Sequence, residues 1–412
     1  MHTSQSETAP TRIIRRILVE QNVPDMRYDS KSILIVLAFA ASLYTTSALN
    51  TGSAAKTTIL VGTQDNINDL VYAVSWNGKD EIDYVTQTNV THKSPSWLSR
   101  HPTDKKKLLV VDEGSGKYQN FKIDKDGKLT AEYKAMQTGG PGPAFGTFSR
   151  DGKYMVFVDY PDGGYHVARY LPDGSSYPIP QKENPADPNL YLGPNPSHPT
   201  HPHQFVEHPR LDVGYINNLA ANLTSLYYFK DGKLTFQSSL RINGGPRHMV
   251  INKEGTFGWI LTEIACDIHP VKIDMAGKMS YNGHPIAITQ ANQAVGTGAE
   301  ILLSHDERMI VASNRQVTGS QNDFLTTFEV DSDGRLSKPT TYDTKGQVVR
   351  GLAFNKDSTL LVFGHETNGT IGMFERDPET NKLKLLTPKL LNLTAAAKIQ
   401  SPAAPAAFVF LD

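Results

Sequence analysis

The 412-residue chain carries a single cysteine, Cys266, so no intrachain disulfide can staple it and its stability must come from a buried core. Charge of one prevailing sign is also missing. Lys and Arg number 41 against 42 Asp and Glu, which argues against a basic face for nucleic acid or a polybasic patch for a membrane surface. Runs long enough to span a bilayer are lacking too. The apolar run Ile33–Tyr44 (ILIVLAFAASLY) is a dozen residues long, well short of the ~20 that a transmembrane helix needs. What the chain does have is Gly and Pro, 57 together, interrupting short apolar runs. That mixture favours many strands and turns over long helices, in two ordinary domains or one large all-β domain.

The short apolar run matches the h-region of a signal peptide, with small residues at Thr46 and Ala48 for cleavage. A start at Met26 would leave MRYDSK as a normal n-region, so the expected mature protein is secreted; an uncleaved signal anchor is the alternative. Four sequons, at Asn89, Asn222, Asn368 and Asn392, are expected glycosylation sites in that setting. Residues 1–56 are read as an extension outside the folded domain, and residues 57–412 as the domain itself.

Within 57–412 a two-part unit recurs. A polar turn and a strand open it: HPTDKKKLLVVDEG from His101, SRDGKYMVFVDY from Ser149, EHPRLDVGYINNL from Glu207, NKEGTFGWILTE from Asn252, SHDERMIVASNR from Ser304 and NKDSTLLVFGHE from Asn355. An outer hairpin turn follows, as at Asp126-Gly127, Asp231-Gly232, Ala276-Gly277 and Asp333-Gly334. The openings are spaced by 48, 58, 45, 52 and 51 residues. A period of ~40–50 residues with about four strands in each is the mark of propeller blades. Six repeats plus one blade split between Thr57–Gly62 at the front and Ala406–Leu411 at the back predict a seven-bladed all-β propeller whose ring closes on itself. One stretch departs from the period: Pro172–Pro202 holds nine prolines in 31 residues and shows no strand pattern, which suggests a flap over one rim.

The chemistry gathers around Gly244–Glu263 (GGPRHMVINKEGTFGWILTE). Two antiparallel strands joined by a short turn bring Arg247, at the start of one, beside Glu263, at the end of the other. Such a pair alone is worth only ~0–1 kcal/mol as a surface ion pair. It is not alone, however, because His203, Glu300 and Arg315 hold comparable rim positions in neighbouring blades. Imidazole, guanidinium and carboxylate at one mouth suit an anionic substrate and proton transfer.

The elements GGPRHMVINKEG, TGAEILLSHDERMIVASNR and HPHQFVEHPRLDVGYINNL resemble those of the seven-bladed lactonase family. That family includes propeller-type 6-phosphogluconolactonases and fungal 3-carboxy-cis,cis-muconate lactonizing enzymes. The resemblance covers nearly everything after residue 57. It implies a metal-independent and cofactor-free enzyme that opens or closes a lactone of a small carboxylated substrate. Carried over motif by motif, it implies His203 as general acid/base, Arg247 and Arg315 as anion clamps, and Glu263 as orienter or alternate base. Glu300 matches what the bacterial lactonases carry, and His201 joins it as a substrate-binding candidate. Apparent secretion fits neither subfamily, which leaves the substrate open.

Other readings compete. His198, His201, His203 and His208 are clustered as metal ligands can be, although the intervening prolines constrain the backbone. Cys266 follows Glu263 closely but reads as a small buried hydrophobe, not a nucleophile. His248, next to Arg247 on a strand, is expected to point the opposite way and pack between blades. Asp112, Glu113, Asp159 and Glu366 read as strand-end capping residues. A secreted propeller that binds a ligand or protein without turnover is the alternative to the enzyme.

Overall fold

A computed structural model describes residues 56–64, 69–90, 93–181, 200–289, 296–316 and 319–411. The candidate signal run Ile33–Tyr44 and the positions Met26, Thr46 and Ala48 lie outside those residues.

Seven antiparallel sheets stand in a ring, each with a path of four strands. The innermost strands are Trp97–Arg100, Pro143–Phe148, Pro202–Glu207, Pro246–Ile251, Thr297–Leu303, Val349–Phe354 and Pro405–Phe410, which head blades one to seven. Blade seven is the split one. Thr57–Thr63 pairs with Pro405–Phe410, with Leu60 opposite Val409, and Leu411 N–H donates to Thr58 O at 2.9 Å. The ring therefore closes through main-chain hydrogen bonds and leaves no open edge at the junction.

Second strands of the blades are buried on both faces, as in Lys107–Asp112 (KLLVVD) and Phe257–Thr262 (FGWILT). They read as apolar runs because each is sandwiched between neighbouring sheets. Seven apolar clusters result, one at each junction between blades: Phe145, Val156 and Val158 of blade two meet Phe205, Ile216 and Tyr227 of blade three, for instance. Each large apolar side chain buried there contributes ~1.5–3 kcal/mol. The outer hairpin turns lock one blade to the previous one. Tyr215 Oη donates to Gly277 O at 2.7 Å and Trp259 Nε1 to Gly334 O at 2.9 Å. Gly277 adopts φ +81°, and an added Cβ would come 2.8 Å from Val213, so that turn needs glycine for both reasons.

The proline-rich stretch is a partial exception to its expectation. Ser176–Ile179 is a strand and forms the outer edge of blade two, while residues 182–199 lie outside the described part. A five-residue helix, Leu393–Ala397, was not foreseen. Asn392 caps it by accepting from Ala395 N at 2.9 Å.

What positions the site is a repeated irregularity. In six of the seven blades the register between first and second strand slips at the mouth of the channel. Pro202 faces Asn218 but Gln204 faces Asn217; Pro246 faces Thr262 but His248 faces Leu261; Val349 faces His365 but Gly351 faces Gly364. One extra residue is thus bulged out in each, and a bulge turns two successive side chains toward the same side. The bulged residues are Ala144, His203, Arg247, Ala299, Arg350 and Ala406. Ser96 takes the same place in blade one, where Glu113 N donates to Ser94 O as Glu263 N does to Gly245 O.

Candidate active site

Six bulges and Ser96 give a ring of seven side chains around the channel, and the ring is lopsided. Blades three, four and six contribute His203, Arg247 and Arg350, whereas the others contribute only Ser96 or alanine. A second ring lies just above, at the end of each second strand: Gln64, Glu113, Tyr160, Leu219, Glu263, Arg315 and Glu366.

Arg247 is 2% exposed and anchored in two directions. Its Nε donates to Glu263 Oε2 at 2.8 Å, and its Nη1 donates to Ala299 O in the next blade. Glu263 Oε2 also lies 3.1 Å from Arg315 Nη2, so one carboxylate sits between two guanidiniums. Burial alone would raise the Glu263 pKa, but Arg247, Arg315 and Arg350 outweigh it and hold the carboxyl below its ordinary value. Burial, then the neighbouring Arg315 and Arg350, push Arg247 down to about 10, which leaves it cationic at neutral pH. Arg350 faces Glu366 at 3.4 Å and Glu113 at 3.9 Å, and Gln64 Nε2 donates to Glu113 at 2.7 Å.

Beneath the arginines runs a line of hydrogen bonds from Glu300 through His248 to His203. His248 Nδ1 lies 2.8 Å from Glu300 Oε1, and His248 Nε2 lies 3.1 Å from His203 Nδ1. Glu300 Oε1 also accepts from Ile301 N at 3.0 Å, so it is the acceptor and His248 Nδ1 the donor. Burial lowers the His248 pKa, against the pull of Glu300, and lowers that of His203 well below its ordinary value, helped by Arg247 and His248. Both rings are therefore neutral at pH 7. His248 Nε2 then has only a lone pair to offer, and His203 Nδ1 must carry the proton between them. Donor counting leaves His203 Nε2 as the free basic nitrogen. The free volume among these residues is about 10 Å³, about what one water needs.

The structure thus brings His203, Arg247, Glu263, Glu300 and Arg315 to one mouth. His201 sits higher, its ring stacked on Tyr160 at 4.3 Å and its Nδ1 2.8 Å from Tyr160 O. His248 corrects the expectation from strand alternation. The bulge at Arg247 makes the two residues project to the same side, and His248 is the link between Glu300 and His203. His208 lies at the other end of its strand, where Nδ1 accepts from Leu211 N at 2.9 Å and caps the turn. Among the described residues no group of three or more His, Cys, Asp or Glu side chains is placed to hold a metal ion. Cys266 is buried, donates to Asn314 Oδ1 at 3.3 Å, and burial pushes its thiol up to about 12, far from thiolate chemistry. Asp112 does cap a loop, accepting from Ser94 N at 2.9 Å, but Glu113 and Glu366 face Arg350 across the mouth.

Arg350 and Ser96 were missed, although a signal existed. Every member of the ring except Ala406 precedes a polar residue of the following turn by five positions: Ser96 before His101, Ala144 before Ser149, His203 before His208, Arg247 before Asn252, Ala299 before Ser304, Arg350 before Asn355. Counting back by five from these six residues finds all of the ring but Ala406.

Among the sequons, Asn89, Asn368 and Asn392 are exposed, whereas Asn222 is half-buried and its Oδ1 accepts from Gly244 N and Gly245 N, each at 2.9 Å.

The chain is similar to known proteins. The family described as "Lactonase, 7-bladed beta-propeller" matches residues 58–395. A 6-phosphogluconolactonase of Bacillus subtilis is 25% identical over 285 residues, covering 66% of this chain and 77% of its own length. A 6-phosphogluconolactonase of Formosa agariphila is 23% identical over 310 residues, 72% of this chain and 85% of its own. Among solved structures, the periplasmic gluconolactonase of Pseudomonas aeruginosa has a similar fold, with a TM-score of 0.73 at 21% identity over 87% of this chain and 99% of its own.

Proposed function

This chain belongs to the seven-bladed β-propeller lactonase family, and on that premise we propose that it hydrolyses the lactone of a small sugar acid. The observation that carries the reading is the line Glu300–His248–His203 ending beside the Arg247–Glu263–Arg315 cluster. His203 Nε2 takes a proton from the attacking water, while His248 and Glu300 hold the tautomer that keeps this nitrogen basic. As water adds to the acyl carbon, the carbonyl oxygen gains negative charge. Arg247 and Arg315 offset that charge, an effect that typically contributes ~3–4 kcal/mol per positioned donor. Glu263 stays ionised and fixes both guanidiniums in place. When the ring C–O bond breaks, the proton on His203 passes to the departing ring oxygen; the new carboxylic acid then gives up the second proton of the water to solvent and faces the arginines as a carboxylate.

The names of the two sequence relatives support a phosphorylated aldonolactone as the substrate. Carboxy-cis,cis-muconate cyclisation would call on the same arginines and histidine. The coupling of Glu300 to the histidine pair favours the lactonase, since Glu300 is the residue by which the chain resembles the bacterial enzymes. Rates of ring opening for aldonolactones and muconolactones, measured above the spontaneous rate, test this choice. A wild type faster on muconolactones, or silent on all of them, would overturn it.

We further propose that the protein is secreted, with cleavage near Ala48 and glycosylation at the exposed Asn89, Asn368 or Asn392. N-terminal sequencing and glycan release on protein from culture medium test this, and intact protein confined to the cytosol would contradict it.

A further inference from the structure

The neutral side of the ring holds polar atoms that none of the described residues satisfies. Ser96 Oγ and Trp97 Nε1 are both buried and have no hydrogen-bond partner among the described residues, and both residues line the same pocket as His203, Arg247, His248 and Arg350. A buried donor left unpaired costs ~1–3 kcal/mol, so its presence calls for a partner outside the chain. Packing fixes the indole: its ring lies 4.5 Å from Phe145 and, across the channel, 5.5 Å from His248. Ala144 and Ala406, on either side of Ser96, leave room that larger residues would fill.

Charge decides what fits. The cations of the mouth are Arg247, Arg315 and Arg350, on blades four, five and six, whereas blade one carries Glu113 directly above Ser96. An anionic group over blade one would meet the Glu113 carboxylate, and the described cation that reaches toward it, Arg350, is already faced by Glu113 and Glu366. A neutral hydroxyl meets a matching set, since Trp97 can only donate and Ser96 can donate or accept.

We propose that Ser96 and Trp97 are the specificity pair of this site. Their Oγ–H and Nε1–H hold a neutral hydroxyl oxygen of the substrate while the arginines opposite hold its acyl oxygen; for the acyl half the assignment rests on the lactonase reading. The substrate is thereby a lactone with a hydroxyl on the side away from its reacting carbonyl, and a bare lactone ring leaves both donors unpaired.

Ser96→Ala and Trp97→Phe test the pair, the second keeping an aromatic ring against Phe145 and His248. Selectivity is read as kcat/KM for glucono-δ-lactone divided by kcat/KM for δ-valerolactone. Each variant is expected to lower this ratio about tenfold, the size of one lost hydrogen bond that strands its partner, chiefly through KM. A ratio unchanged from wild type overturns the proposal even if both rates fall, because a structural role lowers both alike. If the wild type opens neither lactone, the lactonase reading fails by itself. The pair is then judged by gluconate binding, followed through tryptophan fluorescence. About tenfold weaker binding in Ser96→Ala upholds it, and equal binding or no binding overturns it.

Discussion

His203 and His248 meet nitrogen to nitrogen, Nδ1 to Nε2 at 3.1 Å, although they come from different blades and are 45 residues apart. Two neutral imidazoles can share that contact only if one donates and the other accepts, and Glu300 decides which. The proton arrangement of the site is thus set from its buried end.

Glu300→Gln should keep an acceptor for His248 while removing the charge behind it. The nearby carboxylate favours the protonated imidazole, so its loss makes the histidine pair harder to protonate. The acid limb of the kcat/KM profile, expected below the ordinary histidine value because burial lowers the His203 pKa, should move lower still. A roughly tenfold fall in kcat with little change in KM is expected alongside it. A pH–rate series on both proteins checks the direction, and a shift toward higher pH would contradict it.

Arg247→Ala should lower kcat/KM by ~10²–10³, and Arg247→Lys should not restore it. The guanidinium donates along two directions at once, to Glu263 and to Ala299 O, which a single ammonium cannot reproduce. Thermal melts of both variants separate this from misfolding, because removing one partner of a buried ion pair can cost ~3–5 kcal/mol. Recovery of activity by lysine would count against the clamp role.

Much of the fold was legible because the blades repeat. The polar turns and the Asp-Gly hairpins recur at one spacing, and an unpaired first strand called for a partner at the C-terminus. Arg247 beside Glu263 was legible for the same reason, since hairpin geometry places strand start by strand end. Where the reading went astray, a bulge was the cause. Alternation sends His248 away from Arg247, and only an extra residue in the register brings both to the channel. Arg350 was hidden differently. Its blade lacks the Gly-Pro that announces Arg247, so the equivalence of VVRGL and GPRHM shows only when positions are counted back from the next turn.

Acid should loosen the fold through His365. This ring is buried and neutral, with Nδ1 2.8 Å from Thr370 Oγ1 and Nε2 2.9 Å from Thr344 Oγ1, and burial lowers its pKa to about 4. The unfolded chain binds a proton near pH 6.5, so the folded state loses ground as pH falls from ~6.5 toward ~4, by on the order of 3 kcal/mol. Above pH 6.5 this contribution is constant. His365→Gln should flatten that part of the stability curve in a denaturant titration run from pH 7 to pH 4. An unchanged slope would show that other groups carry the acid response.

The central claim is that this propeller mouth opens lactones with His203 as the proton carrier. Its most direct measurement is the hydrolysis of glucono-δ-lactone and its 6-phosphate by purified wild type and His203→Ala, with the spontaneous reaction subtracted. A rate above background is expected for the wild type, with a loss of ~10²–10⁴ in a variant that remains folded. A folded wild type no faster than buffer on either lactone, or a His203→Ala protein as active as wild type, would contradict it.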